Sequence, residues 1–245
     1  MGEADRRSEG ETGVITGQVT LHEKGPALWP EYISLAELDK RREEVGTPIF
    51  NTMYQAQRGG LAGVIVKREF FKYRNAPEGS LCYAALDPAI SQKTQADETA
   101  IVVGNVDYEG NVFIRFVWHG RVGVRETLGY IDEVYQHYRP VEFGVESVAY
   151  QAALIEIAED KYPDIPFVPV KPDKDKFSRF LALGALYEFG RVFHHPYLEA
   201  SAFEYQLTRL PNGAHDDMAD AASMMTILAG LSGPVTTGDV PEGFR

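Results

Sequence analysis

Five carboxylates fall where a sequence pattern ends or begins. Asp87 closes the apolar run Leu81–Leu86, Glu146 follows the run Val141–Val145, and Asp216, Asp217 and Asp220 open the last helical pattern of the chain. Apolar runs of this length, bounded by turn residues, read as strands buried in a sheet. A carboxylate at the end of a buried strand is costly without a hydrogen bond, an ion partner or a metal. At about 100° per residue, the three aspartates span one face of a first helical turn. Gathered at one edge, such groups repel one another unless cations neutralise them. An all-carboxylate set suits a hard cation, Mg²⁺ or Mn²⁺. Two such ions about 4 Å apart can activate a water and stabilise the leaving oxygen in phosphodiester cleavage. Each group also has a plainer reading. Asp87 precedes a proline, as turn starters do; Glu146 is an ordinary strand end; Asp216 or Asp217 caps a helix. Three aspartates within five residues exceed what one cap needs. Asp97 precedes the second strand, either as a loop residue or as a secondary member of the site.

The elements that must position these groups follow in order. A first strand covers 81–87 and a second covers 99–106. The turn 107–111 carries Glu109-Gly110, a hairpin signal, and a third strand covers 112–118. A helix over 124–138 places Leu128, Ile131, Val134, Tyr135 and Tyr138 on one face, with Pro140 just beyond its end. A fourth strand (141–145), a helix (150–161), a fifth strand (167–170) and a helix (176–189) come next. Residues 191–194 read as a short extended piece, followed by helices over 199–209 and 216–229. Three strands in a meander pair antiparallel, and strands reached through crossover helices run parallel. The expectation is a mixed five-stranded α/β sheet with helices on both faces, its first and fourth strands adjacent, so that Asp87 and Glu146 lie side by side.

Upstream, Ser34 and Glu37 have capping-box spacing, and the helical pattern to Val45 stops at Gly46. A second short helix is expected over 51–57 and a short strand over 64–66. Residues 1–75 therefore read as an arm and linker-like helical segment, 76–232 as the main domain and 233–245 as a flexible tail. The chain of 245 residues is 44% hydrophobic, enough for a full core, and carries a formal net charge of −12. That charge argues against broad capture of nucleic acid by this chain alone, since phosphate binding needs clustered Lys and Arg. It leaves room for a local basic rim. Its single cysteine, Cys82, excludes an internal disulfide, and the sequence has neither a signal peptide nor an apolar stretch of membrane-spanning length.

Lys171, Lys174, Lys176 and Arg179 flank the fifth strand and its helix, and read either as a DNA-backbone rim or as a solvated helix start. Arg121 and Arg125, after the third strand, form a second candidate rim. His215 is an outer-shell group, a water-activating base or a neighbour of the helix cap. The segment around Ser147 lacks the G-x-S-x-G order of a nucleophile elbow.

Three motifs in this order carry a resemblance: LDPA at 86–89, VESVAYQ at 145–151 and HDDMADA at 215–221. The sequence resembles the nuclease domain of the large terminase subunit of tailed bacteriophages, an RNase H-like (RuvC-like) domain. The segment 29–63 also resembles the stretch that joins ATPase to nuclease in that family. The resemblance implies an RNase H-like fold and endonucleolytic cutting of double-stranded concatemeric viral DNA with Mg²⁺ or Mn²⁺. It implies Asp87, Glu146 and Asp217 as the metal-binding triad, Asp87 bridging two ions, with Asp216 and Asp220 as supporting or alternative ligands. It further implies the ATPase domain of the same subunit, the small terminase subunit and the portal protein as partners, in the cytoplasm of an infected bacterium, with no membrane and a monomeric isolated domain. The sequence has no G-x-x-x-x-G-K-[ST] loop, so it reads as the nuclease part of a longer protein. The alternatives are a non-catalytic docking module for DNA or portal, and another RNase H-like nuclease such as a resolvase.

Overall fold

A computed structural model describes residues 33–54, 64–88, 98–146, 149–171 and 175–231. The expected arm, tail, Asp97 and Lys174 lie outside these residues. Two helices, α1 (Leu35–Val45) and α2 (Thr47–Tyr54), come first. The Ser34 hydroxyl accepts from the Glu37 amide at 3.2 Å, satisfying a free N–H of the first turn of α1. Gly46, at φ 80°, ends that helix in a backbone conformation that glycine adopts without strain.

Among the described residues, six strands make one sheet: β1 (Leu81–Asp87), β2 (Thr99–Val106), β3 (Val112–Gly120), β4 (Glu142–Glu146), β5 (Phe167–Val170) and β6 (Val192–His194). Their order across the sheet is β5-β4-β1-β2-β3-β6. The meander β1-β2-β3 is antiparallel, whereas β4 joins β1, β5 joins β4 and β6 joins β3 in parallel. The sixth strand corrects the five-stranded expectation. A three-residue segment has too little alternation to register as a strand by pattern, and it gains its ladder from Val112–Ile114 of β3.

Period-2 alternation divides the strand side chains between two cores. Cys82, Ala84, Leu86, Ile101, Val103, Phe143 and Val145 face α3 (Val124–Tyr138) and α4 (Ala149–Lys161). Ala85, Ala100, Val102, Val112 and Ile114 face α5 (Lys176–Glu188), α6 (Ala202–Leu207) and α7 (Asp217–Leu228). The helix expected over 199–209 is shorter, because a 3₁₀ turn over Pro196–Leu198 precedes it and Ser201 caps α6. Residues 64–66 form no strand. Ile65 and Val66 instead join the second core, with Ile65 against Gly184 of α5.

Helix α7 lies close against the sheet, for which two strand glycines are the reason. A Cβ at Gly104 would meet the Met225 side chain at 2.8 Å, and one at Gly144 would collide with Leu228. Without side chains there, α7 crosses β2 and β4 at short range and its N-terminus reaches the ends of β1 and β4.

Candidate active site

Asp87 and Glu146 end adjacent parallel strands, with Leu86 in register with Val145. Ala85 belongs to the core under α5 and α7, so Asp87, two residues on, points to that same face. Val145 faces the other core, which turns Glu146 to the face of α7 as well. Asp217 is the first residue of α7 and Asp220 lies in its first turn, with Asp216 at the N-cap position. The sheet edge therefore gathers carboxylates from three elements far apart in sequence.

Their electrostatics show the crowding. Burial pushes the Asp87 carboxyl well above the usual carboxylate range, and the charges of Asp220, Glu146 and Asp217 push it further, against the pull of Lys176. Asp217 is also raised, first by burial and then by the charge of Asp216. Two cations answer part of this charge. Lys176 Nζ lies 2.7 Å from Asp216 Oδ1 and 2.5 Å from Asp220 Oδ2. Arg179 Nη2 donates to Asp220 Oδ1 at 2.6 Å. Burial alone would lower the Lys176 ammonium, but its hydrogen bonds to Asp216 and Asp220 outweigh that and raise it.

All-oxygen donors of this kind fit a hard divalent cation. Asp87, partly buried among other carboxylates, has the unmet charge that such an ion would neutralise. As placed, however, no group of three or more His, Cys, Asp or Glu among the described residues closes around a single ion. Two of the five carboxylates, Asp216 and Asp220, bond to Lys176 instead.

The basic groups divide. Lys176 and Arg179 turn inward onto the aspartates, whereas Lys171 is exposed just past β5. Arg121 lies 3.6 Å from Glu98, and Arg125 is exposed in the first turn of α3. His215 is exposed beside Asp216. One group at this edge escapes motif reading. His119 lies in register with Ala100, which is in register with Asp87, so it stands two strands away on the same face. Its Nδ1 is 2.7 Å from Glu98 Oε2. Its only sequence signal was strand alternation continued past Trp118, which extends the third strand to Gly120.

Residues 84–228, more than half of the chain, match the model of the terminase RNaseH-like domain family. Among solved structures, the large terminase nuclease of thermophilic phage G20c with bound cobalt aligns at a TM-score of 0.51 and 11% identity. That alignment covers 67% of this chain and 96% of the nuclease. The large terminase of a second thermophilic bacteriophage, in complex with ADP, aligns at a TM-score of 0.60 and 12% identity, over 83% of this chain. The aligned region spans only about half, 54%, of that longer terminase. At these identities the structural matches speak for the fold. No curated protein sequence matches the chain.

Proposed function

Because the chain belongs to the terminase RNaseH-like domain family, we propose that it is a metal-dependent endonuclease cutting double-stranded, concatemeric viral DNA during genome packaging. The observation that carries this reading is the convergence of Asp87, Glu146 and Asp217 at one sheet edge, where burial and then the neighbouring carboxylates raise Asp87. A fold needs no such repulsion, and perturbed carboxylates in one group are a mark of function. Support also comes from the G20c nuclease, whose fold is shared and whose structure holds cobalt.

Asp87, Glu146 and Asp217 are the residues that would hold Mg²⁺ or Mn²⁺, with Asp216 and Asp220 in support. When bound, a pair of such ions supplies Lewis acidity toward the phosphate and an activated water. The chain's own groups do the rest. The strand ends fix Asp87 and Glu146 relative to each other, and the close seat of α7 on Gly104 and Gly144 fixes Asp217. Arg179 holds Asp220 in place. Lys171, Arg121 and Arg125 stand as exposed or half-exposed cations able to contact the DNA backbone beside the acidic edge. The net charge of −12 makes that contact weak. An ATPase unit, a small terminase subunit and a portal protein, in the cytoplasm of an infected bacterium, are the proposed partners that deliver and retain DNA.

Supercoiled plasmid incubated with this chain and Mn²⁺ or Mg²⁺ should be nicked and linearised, and EDTA should stop it. A folded protein that leaves the plasmid intact with every divalent metal, alone and when fused to a terminase ATPase unit, would favour a docking module over a nuclease.

A further inference from the structure

Lys176 and Arg179 meet Asp220 from two sides and in two different ways. The Arg179 side chain is 10% exposed and lies locked in the core beneath the site. Its Nε is buried without a hydrogen-bond partner, and among the described residues Asp220 is the acid that the guanidinium meets. The Lys176 side chain is 46% exposed and reaches the aspartates from the solvent side. It is the first residue of α5, directly after the N-cap Asp175, whose carboxylate accepts from the Ser178 amide and hydroxyl and so fixes the helix start without using the lysine. An ammonium on a four-carbon stem is a compact, strongly hydrated charge that can swing away at small cost, whereas a buried guanidinium cannot. Among the described residues, five carboxylates at this edge, Asp87, Glu146, Asp216, Asp217 and Asp220, face two cations, Lys176 and Arg179. The ion pairs hold the acids together while leaving the edge net negative, and the Lys176 contacts take up oxygen atoms that a metal would use.

We propose that Lys176 is a tethered counter-ion of this site: it holds Asp216 and Asp220 while no divalent ion is bound, and it yields as the ion enters. It thereby sets the metal concentration at which the site fills. This rests on the reading of the edge as a divalent-metal centre. Arg179 stays in place throughout and keeps Asp220 oriented. Lys176 is accordingly a positioning residue, and its effect is read in metal affinity.

The test is calorimetric titration of Mn²⁺ into the full chain, with Lys176→Met, Lys176→Gln and Lys176→Arg beside the parent, together with thermal melts with and without Mn²⁺. Removing a positive charge a few ångströms from the ion should tighten Mn²⁺ binding by roughly tenfold or more in both neutral variants. It should lower the metal-free melting temperature and enlarge the rise that Mn²⁺ produces. Lys176→Arg should restore both parental values. Should Lys176→Met fail to fold without metal, Lys176→Gln, which keeps hydrogen-bond donors, carries the comparison. Unchanged or weaker Mn²⁺ binding in the neutral variants, with the parent binding normally, overturns the counter-ion role and leaves the metal centre standing. No Mn²⁺ uptake by the parent or any variant overturns both.

Discussion

Two clusters of ionisable groups lie on the same face of the sheet and are built in opposite ways. At the β6 edge, His194 is fully buried between Tyr187 and Glu204. Its Nε2 is 2.8 Å from the Tyr187 hydroxyl and its Nδ1 is 2.7 Å from Glu204 Oε1. The ring is thus hydrogen-bonded at both nitrogens, to the Glu204 carboxylate and to the tyrosine hydroxyl. Glu204 also accepts from Tyr73 at 2.9 Å and from the Ala200 amide at 2.8 Å. Burial raises the Glu204 carboxyl, but these hydrogen bonds, led by that to His194, outweigh it and leave it below its ordinary value. At the β1–β4 edge, by contrast, burial and like charges drive Asp87 up. The first cluster is satisfied and pins the 64–80 segment to the domain, as the backbone bonds of His194 to Lys72 and Arg74 also do. The second is only partly satisfied, by Lys176 and Arg179. Buried polar groups that serve the fold find partners, and those that do not are kept for a ligand.

That contrast can be broken most severely by exchanging the expected phenotypes. Asp87→Ala should lower plasmid cleavage by on the order of 10³-fold or more, as loss of other preorganised charge-stabilising groups does, while the far-ultraviolet dichroism stays parental. Glu204→Ala should do the reverse. It should cost about 3–5 kcal/mol in urea unfolding, the range for breaking a buried pair, and retain cleavage at temperatures where it is folded. If Glu204→Ala lost cleavage while fully stable, the division between a structural and a functional cluster would collapse.

Smaller effects sharpen the contrast through pH. Asp87 and Asp217 have folded values above the ordinary carboxylate value of about 3.9. Between the unfolded and folded values the folded chain holds more protons, so this contribution is full below about pH 4 and is lost as pH rises through the folded values. Metal-free Asp87→Asn should therefore melt a few degrees above the parent at pH 7. The gap should narrow toward pH 4, as followed by calorimetric melts across that window. A gap that widened on acidification would reverse the sign of the argument. The smallest effect expected is for Tyr73→Phe, which removes one hydrogen bond to Glu204 and should cost about 1 kcal/mol, measured by urea midpoints with cleavage unchanged.

Much of this arrangement was legible in the sequence because it follows from short-range patterning. The apolar runs ending at Asp87 and near Glu146, the hairpin turn and the adjacency of the first and fourth strands all follow from alternation and crossover rules. So do the three antiparallel strands and the later parallel ones. The misses have equally local causes. The piece read as short and extended over 191–194 was not counted as a strand, because three residues are too few to show alternation. Gly104 and Gly144 give no pattern signal in the sequence, yet they let α7 approach the sheet. Lys176 and Arg179, one helical turn apart, read as a DNA rim or a solvated helix start because nothing in a linear sequence shows that α5 begins beside the first turn of α7. Their partners Asp216 and Asp220 lie some forty residues on. The buried network at His194 was not foreseeable without the packing of α5 and α6, which brings Tyr187 and Glu204 to its ring.

The most direct measurement is anomalous diffraction from crystals of this chain soaked in Mn²⁺. Manganese peaks are expected within ligand distance of Asp87, Glu146 and Asp217, with Lys176 withdrawn from Asp216. Manganese bound elsewhere, or a fully soaked site in which Lys176 still bridges Asp216 and Asp220 and no peak is found, would contradict it.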